Sequence, residues 1–228
     1  MNNKFTNLED ITSTSLKYGT ILADPPWRFS NRSGKVAPEH KRLARYSTMS
    51  LEDICNLPIK ELALPKSHLY LWVPNALLAE GLKVMESWGF QYKTNLVWHK
   101  IRKDGGPDGR GVGFYFRNVT ELILFGIKGP LRTNKPGRSQ VNIILSRKRE
   151  HSRKPDELYN IIENCSTGPY LELFARHKRN NWHQWGNEIE TGPKSILKSN
   201  PKEVIIISNN SRLRNKNQCN SDRESVTV

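Results

Sequence analysis

The sequence predicts an α/β protein with a mostly parallel sheet covered by helices, and two observations lead to this fold class. Apolar runs typical of strands alternate with a segment of helical periodicity: His68–Val73 and Gln91–Trp98 flank a stretch with Leu77, Leu78, Leu82, Met85 and Trp88. The apolar run Gly19–Ala23 also stops abruptly at Asp24-Pro25-Pro26-Trp27, because neither proline can donate a strand hydrogen bond. The result is a rigid corner at the carboxyl end of a strand, where open α/β sheets bind their ligands.

The remaining elements follow from local start and stop signals. Ser50 and Asp53 form a capping box that opens a short helix to Leu57, and Asn75 is the expected N-cap of the helix that ends at Gly89. Pro155 suits the first position of a helix that ends at Gly168. Further strands are predicted at Val119–Ile127, Val141–Leu145 and Tyr170–Ala175.

Composition predicts one domain with two flanking segments. Residues 1–17 read as an N-terminal arm, residues 18–190 as the folded domain, and residues 191–228 as a polar, basic tail that is largely disordered. The apolar run Val204–Ile207 leaves open an extra edge strand within that tail. The glycine-rich run Gly109–Gly113 is not a dinucleotide fingerprint, because no strand leads into it and no helix leaves it.

The net charge of +14 is concentrated in one part of the chain. Between Lys100 and Lys154 there are fourteen Lys and Arg residues against four Asp and Glu residues. We expect Lys100–Arg117, Lys128–Arg138 and Arg147–Arg153 to gather at the sheet edge that bears Asp24. Such a concentration favours a polyanionic partner, namely nucleic acid, over the alternative of a basic surface that serves solubility.

The three cysteines, Cys55, Cys165 and Cys219, are widely spaced and odd in number, which argues against a disulfide framework. No Cys or His cluster suggests a metal, so none is expected. The N-terminus has no signal-peptide pattern, and no apolar run is long enough for a membrane span. These features predict a cytoplasmic protein that does not bind a membrane.

The corner after Ala23 offers the groups needed to hold a planar base with an exocyclic amine. The Asp24 carboxylate and the Pro25 carbonyl can accept both amine N–H bonds, and Trp27 can stack on the ring. Hydrogen bonds from both N–H groups draw the nitrogen lone pair out of conjugation with the ring, so that the lone pair can attack an electrophile. The alternative is that Asp-Pro-Pro forms only a turn.

The chain resembles a known family from roughly Tyr18 to Glu188. The Asp24-Pro25-Pro26-Trp27 motif is similar to that of amino methyltransferases, and the chain most resembles the family of the catalytic subunit of the eukaryotic messenger-RNA adenosine-N6 methyltransferase. That family has bacterial and phage members that act on DNA. The resemblance also includes Tyr46–Ser50, Leu71–Val73, Leu96–Lys100, Arg117-Asn118 with Glu121, Lys154–Tyr159, Leu171–Arg176 and Trp185–Glu188.

The resemblance implies a Rossmann-like fold dependent on S-adenosylmethionine, with permuted motif order because the catalytic motif precedes the cofactor strand. It assigns Asp24, Pro25, Pro26 and Trp27 to catalysis, and it has polar side chains where many methyltransferases carry a glycine-rich loop. The implied cofactor contacts are Asp24, Lys154, Arg176, His177, Asn187 and Glu188, with Lys154 at the methionine carboxylate. The family has Gln at the position of Glu188. Lys154 and Glu188 could instead be ordinary helix-end charges, and Arg176 and His177 could be part of the basic surface.

The implied reaction is methyl transfer to the N6 amine of adenine in DNA, with RNA as the main alternative. Candidate substrate-binding residues are Tyr46, Lys100, Arg110, Arg117, Asn118, Arg147, Lys148 and Arg149. A catalytically silent nucleic-acid-binding subunit is a further alternative, which the intact Asp24 motif disfavours. A homodimer or a pairing with a related subunit also fits the resemblance.

Overall fold

The computed structural model describes residues 15–29, 48–109, 115–149 and 153–186. The chain divides into two units, residues 1–190 and 191–228, and every described residue belongs to the first. The strands are β1 (Tyr18–Ala23), β2 (Ala63–Val73), β3 (Gln91–Ile101), β4 (Thr120–Lys128), β5 (Ile143–Arg147), β6 (Tyr170–Leu173) and β7 (Trp182–Trp185). The helices are α1 (Leu51–Cys55), α2 (Ile59–Leu62), α3 (Leu78–Ser87) and α4 (Glu157–Cys165), with 3₁₀ turns at Asn75–Leu77 and Lys135–Ser139.

The seven strands form one sheet in the order β5-β3-β4-β2-β1-β6-β7. Strand β1 is parallel to β2 and to β6, β6 is parallel to β7, and β3 is parallel to β5. Only β4 is antiparallel to its neighbours β2 and β3 within this sheet. The predicted α/β class with a mostly parallel sheet is therefore confirmed.

Both faces of the central strands are buried, which explains why these strands are continuous apolar runs. On one face Ile21 and Leu71 pack with Ile54, Val84 and Trp88 from α1, α3 and the end of α3. On the other face the side chains that point the opposite way pack with Leu158 and Ile162 of α4; they include Leu22, Tyr70, Trp72, Trp98 and Ile123. The two cores fix the register of each strand, because a shift by one residue would exchange its faces.

Several polar residues lie together on the side of the sheet where β1, β2 and β6 have their carboxyl ends; this side is the Asp24 edge of the sheet. Ala23, the last residue of β1, pairs with Leu71 and Leu173 near the carboxyl ends of β2 and β6. Because β4 runs in the opposite direction, its first residues reach the same edge, and Glu121 pairs with Trp98. This edge is therefore where Asp24, Lys100 and Glu121 meet.

The direction of β4 corrects one prediction about charge. Lys128, at the end of β4, pairs with Ser67 at the opposite edge of the sheet from Asp24. The basic loop Lys128–Arg138 consequently starts at that opposite edge, so the expectation that all three basic segments gather near Asp24 is wrong. The other two segments do leave the sheet at the Asp24 edge, since Ile101 pairs with Arg147 at the carboxyl ends of β3 and β5.

Local predictions also have mixed outcomes. The capping box of Ser50 and Asp53 is confirmed. Asn75 is not a side-chain cap; its amide donates to the Thr120 carbonyl at 3.1 Å and to the Thr120 hydroxyl at 3.0 Å. Helix α4 begins at Glu157 rather than Pro155, and α2 and β7 were not predicted. No helix within the described ranges is long and apolar enough to span a membrane.

Candidate active site

Two backbone hydrogen bonds fix the corner after β1, and the carbonyl groups of the two prolines accept them. The Trp27 N–H donates to the Pro25 carbonyl at 2.8 Å, and the Met49 N–H donates to the Pro26 carbonyl at 2.9 Å. The Pro25 carbonyl therefore already accepts one N–H, and its oxygen has a second lone pair for another donor. The Asp24 side chain keeps 30% of its surface exposed, so the corner still presents a carboxylate.

Trp27 differs from the expected stacking platform, since its side chain is 6% exposed and belongs to the core. Its indole N–H donates to the Trp72 carbonyl at 2.9 Å. The ring thus ties the corner to the end of β2 and does not present a flat face to solvent. The described geometry assigns Trp27 to support of the corner, and its stacking role stays a prediction.

Four charged side chains form a continuous network beside this corner. The Lys154 ammonium lies 3.3 Å from the Asp24 carboxylate and 2.7 Å from Glu121. The other Glu121 oxygen lies 2.6 Å from the Lys100 ammonium. Two carboxylates and two ammonium groups balance in formal charge, which offsets the cost of holding them partly buried.

Two tryptophan rings contact the ammonium groups of this network. The Lys154 ammonium lies 4.3 Å from the centre of the Trp72 ring, and the Lys100 ammonium lies 5.0 Å from the Trp98 ring. Trp72 and Trp98 meet edge to face, with ring centres 6.0 Å apart. A cation over an aromatic face gains roughly 0.5–2 kcal/mol, so both lysines are held in defined positions.

The pKa values of the network reflect burial and close charge. Burial raises the pKa of Asp24, an effect that Lys154 opposes and Glu121 reinforces. Burial alone would raise the pKa of Glu121, but Lys154 and Lys100 outweigh it and lower the pKa to about 2. Burial alone would lower the pKa of Lys154, but Asp24 and Glu121 outweigh it and raise the pKa. Lys154 and Glu121 are therefore charged at neutral pH.

A cleft of about 280 Å³ opens beside Asp24 and Lys154. Its walls come from the ends of β1, β2 and β6, the start of α4 and the segment after β6. They combine carboxylates, cations and apolar surface: Leu22, Asp24, Trp72, Lys154, Glu172, Phe174, Arg176 and His177. Such a mixture suits a ligand that has a carboxylate, an ammonium group, hydroxyl groups and a planar ring.

Glu172 also lines the cleft, although no role for it is predicted from the sequence. One carboxylate oxygen accepts the Tyr159 hydroxyl at 2.8 Å, and the other accepts the Gln184 amide at 2.8 Å. Burial raises the pKa of Glu172, an effect that the Gln184 and Tyr159 hydrogen bonds oppose and the Asp24 carboxylate reinforces. The sequence does contain a signal for such a role, because an acidic residue inside an apolar strand must have hydrogen-bond or charged partners.

Comparison with known proteins gives this geometry its family. The family model MT-A70 matches residues 18–188, most of the chain. The chain belongs to the MT-A70 family. The predicted resemblance is thereby confirmed.

Individual MT-A70 relatives differ in how much of their own length the match covers. The type II methyltransferase M.MunI of Mycoplasma sp is 28% identical over 192 residues, covering 76% of this chain and 78% of M.MunI. A putative N(6)-adenosine-methyltransferase MT-A70-like protein of Medicago truncatula is 32% identical over 179 residues, covering 76% of this chain and 26% of the relative. The N(6)-adenosine-methyltransferase catalytic subunit METTL3 of Homo sapiens is 29% identical over 181 residues, covering 76% of this chain and 28% of METTL3. The chain thus spans about a quarter of the plant and human proteins.

The structure brings four of the predicted cofactor residues of this MT-A70 chain to one cleft: Asp24, Lys154, Arg176 and His177 all line it. The Lys154 ammonium faces Asp24 and Glu121 rather than standing apart from other charges. Asn187 and Glu188 lie outside the described residues. The cofactor role of each of these residues stays a prediction.

The predicted substrate residues are more dispersed. Lys100 joins the charged network through Glu121, and Arg117 is exposed and donates to the Gly109 carbonyl at 2.8 Å. Arg149 pairs with Asp156 and lies 3.9 Å from Glu157, so its charge is partly neutralised. Tyr46 and Arg110 lie outside the described residues, while Asn118, Arg147 and Lys148 are exposed.

No cluster of His, Cys, Asp or Glu side chains within residues 15–29, 48–109, 115–149 and 153–186 is arranged to hold a metal ion. The cysteines in these ranges, Cys55 and Cys165, are both free thiols.

Proposed function

We propose that this MT-A70 chain transfers a methyl group from S-adenosylmethionine to the N6 amine of adenine in DNA. The observation that carries the proposal is the junction of the Asp24 corner with the cleft lined by Lys154 and Arg176. An acceptor for the target amine and the groups that would hold a charged methyl donor thus share one site.

The residues of the cleft fit the donor by their chemistry. Lys154 and Arg176 supply cations for its carboxylate, while Asp24 and Glu172 supply acceptors for its ammonium and hydroxyl groups. Phe174 and Leu22 supply apolar surface for its ring system. When bound, the donor supplies an electrophilic methyl group: the bond from nitrogen to carbon forms as the bond from carbon to sulfur breaks, leaving a thioether.

The role of Asp24 follows from its position at the rigid corner. Its carboxylate accepts one N–H of the target amine, and the Pro25 carbonyl can use its second lone pair for the other. These contacts orient the nitrogen lone pair toward the methyl group. The proton that leaves the methylated nitrogen passes along the hydrogen bond to the partly exposed Asp24 carboxylate and from there to solvent. Positioning of this kind contributes a large part of the rate enhancement of many group transfers.

Several features support nucleic acid as the substrate. Arg147 and Lys148 lie at the Asp24 edge of the sheet. On the loop between β3 and β4, Tyr115 is 94% and Phe116 is 85% exposed, which is unusual for large aromatic side chains. Exposed aromatic rings beside cations are typical of surfaces that stack nucleic-acid bases.

Support for DNA comes from relative size. The match covers 78% of M.MunI, named a type II methyltransferase, but only about a quarter of the proteins named adenosine methyltransferases. Within a DNA duplex the target adenine must leave the base stack before its amine can reach the corner. RNA is the second candidate, favoured by the identity to METTL3.

The test is incubation of the protein with labelled donor and four substrates: single- and double-stranded DNA and RNA of matched sequence. Nucleoside mass spectrometry then separates N6-methyldeoxyadenosine from N6-methyladenosine. We expect the deoxynucleoside product, and the Asp24→Asn variant serves as the inactive control. Product from RNA alone would reassign the substrate, and donor binding without product from any substrate would favour a silent subunit.

A further inference from the structure

Gln184 lies on β7, outside the residues singled out by sequence, and its side-chain amide has three partners. Its nitrogen donates to Glu172 at 2.8 Å and to the His177 carbonyl at 2.5 Å. Its oxygen accepts the Arg179 backbone N–H at 2.8 Å. Both N–H bonds and the carbonyl oxygen are thus used, which fixes the orientation of the amide.

Two of these contacts hold the segment that follows β6. The last backbone pairing between β6 and β7 on this side is the Ala175 N–H to the Trp185 carbonyl, at 2.9 Å. Beyond it the chain leaves the sheet and returns at Asn181, which has a positive φ of 66°. From β7, the Gln184 side chain bonds to the backbone of His177 and Arg179 in this segment. These side-chain hydrogen bonds hold the segment where the backbone pairing between β6 and β7 has ended.

The third contact acts on Glu172, whose two oxygens each accept one neutral donor. Gln184 supplies one donor from β7 and Tyr159 supplies the other from α4. The charged groups that face Glu172 come from two other elements: Asp24, after β1, opposes its ionisation, and Arg179, after β6, favours it. The remaining titratable groups of the cleft are Arg153, Lys154, Asp156, Arg176, His177 and Lys178.

We propose that Gln184 is a positioning residue for the methyl donor: it keeps Glu172 available as a carboxylate acceptor and fixes the His177–Arg179 segment on the cleft wall. The inference rests on the proposed function, because the donor is the ligand concerned. Burial raises the pKa of Glu172 and the Gln184 hydrogen bond lowers it, so loss of the amide must raise it further. Donor binding that depends on a Glu172 carboxylate would then weaken most at low pH.

The experiment uses Gln184→Met, which keeps the length of the side chain and removes all three hydrogen bonds. Gln140→Met is the matched control, because the Gln140 side chain donates only to the carbonyl of its neighbour Val141, at 3.0 Å, within the described residues. The first measurement needs no donor. It is the titration of the Glu172 carboxyl by carbon NMR, in which we expect an upward shift in Gln184→Met and none in Gln140→Met.

The second measurement is the dissociation constant for S-adenosylmethionine by calorimetry across pH 5.5–9. In Gln184→Met we expect weakening of roughly tenfold at the acid end, from the loss of about one hydrogen bond, and partial recovery at the alkaline end. In a Glu172→Gln background the pH-dependent part of this effect should disappear. Gln140→Met should follow the unmutated protein throughout.

The outcomes separate the inference from the function on which it rests. A Gln184→Met variant that stays folded, with unshifted Glu172 titration and affinity lowered equally at every pH, would overturn the inference and leave the proposed function intact. Unchanged donor affinity at all pH values would do the same. Failure of the unmutated protein to bind donor would overturn the proposed function and the donor role together, while the NMR titration would still decide whether Gln184 sets the ionisation of Glu172.

Discussion

The Lys154 ammonium lies 3.3 Å from the Asp24 carboxylate, which joins the start of the α4 segment to the corner after β1. Because Glu121 holds the same ammonium at 2.7 Å, Lys154 is shared between two carboxylates. A ligand carboxylate that approached Lys154 would therefore compete with both. This arrangement couples the groups expected to bind the donor to the group expected to bind the target amine.

Replacement of Asp24 by Asn should separate its chemical role from its packing role. Asn keeps the shape of the side chain but offers one acceptor fewer and adds donors that face the target amine. We expect turnover to fall by about a hundredfold or more, the typical effect of one preorganised polar group, with the fold retained. Single-turnover methylation measures the loss, and circular dichroism checks the fold. The control is Asp53→Asn, which alters an exposed helix cap that is not among the residues lining the cleft. Near-normal turnover in Asp24→Asn would remove the corner from catalysis.

Lys154→Ala should raise the dissociation constant for the donor roughly ten- to hundredfold, because a charged hydrogen bond is lost. Nucleic-acid binding should change little. Lys148→Ala, at an exposed lysine, is the reciprocal control and should weaken nucleic-acid binding alone. Calorimetry with the donor and fluorescence anisotropy with labelled DNA measure the two affinities. A variant with normal donor affinity and weak DNA binding would assign Lys154 to the basic surface.

Glu121 should make stability depend on pH on the acid side. Its pKa is lowered to about 2 in the folded protein, from an ordinary value of 4.5, so the folded state favours the carboxylate. The resulting stabilisation is fully present above about pH 4.5 and is lost as the pH falls toward about 2. Urea unfolding at several pH values should therefore show the largest difference between the unmutated protein and Glu121→Gln near neutral pH, shrinking below pH 4.5. A difference independent of pH would contradict the ion-pair account.

Local patterns predicted the parts of this fold that depend on local chemistry. The prolines after Asp24 ended β1 where expected, and Ser50 with Asp53 capped α1. The direction of β4 was beyond this reasoning, because a basic, glycine-rich connection can serve either a crossover or an antiparallel return. Its antiparallel pairing with β2 moved the Lys128–Arg138 loop to the far edge of the sheet.

The site shows the same division. Asp24 and Lys154 were predicted, through the motif and the resemblance, and they meet in space. Burial of Trp27 was not foreseen, since a tryptophan after two prolines has the same local pattern whether its ring packs inward or outward. Gln184 carries no sequence signal of its own, because its three partners are brought to it only by the pairing of β6 and β7.

Trp27→Phe tests the supporting role of this side chain. The variant keeps an aromatic ring but leaves the Trp72 carbonyl without the indole donor that lies 2.9 Å away. We expect a loss of about 1–3 kcal/mol in the free energy of unfolding, measured by urea denaturation, because a buried acceptor loses its partner. Tyr92→Phe, at a partly exposed position of β3, is the control and should change stability little. Full stability in Trp27→Phe together with weaker DNA binding would favour the stacking role instead.

The charge at the carboxyl end of β5 should set the salt dependence of DNA binding. Arg147 and Lys148 are exposed there, whereas Arg149 is paired with Asp156 near the cleft. Each phosphate contact steepens the log–log dependence of binding on salt by about 0.9 for duplex DNA, so replacement of all three by Gln should flatten the slope by about two units rather than three.

The matched control replaces three cations of the opposite sheet edge, Arg132, Lys135 and Arg138, by Gln and should leave the slope unchanged. Anisotropy titrations between about 50 and 200 mM salt measure the slopes. Equal flattening in both triple variants would mean that net charge matters but location does not, and an unaltered slope in the first would place the DNA elsewhere on the protein.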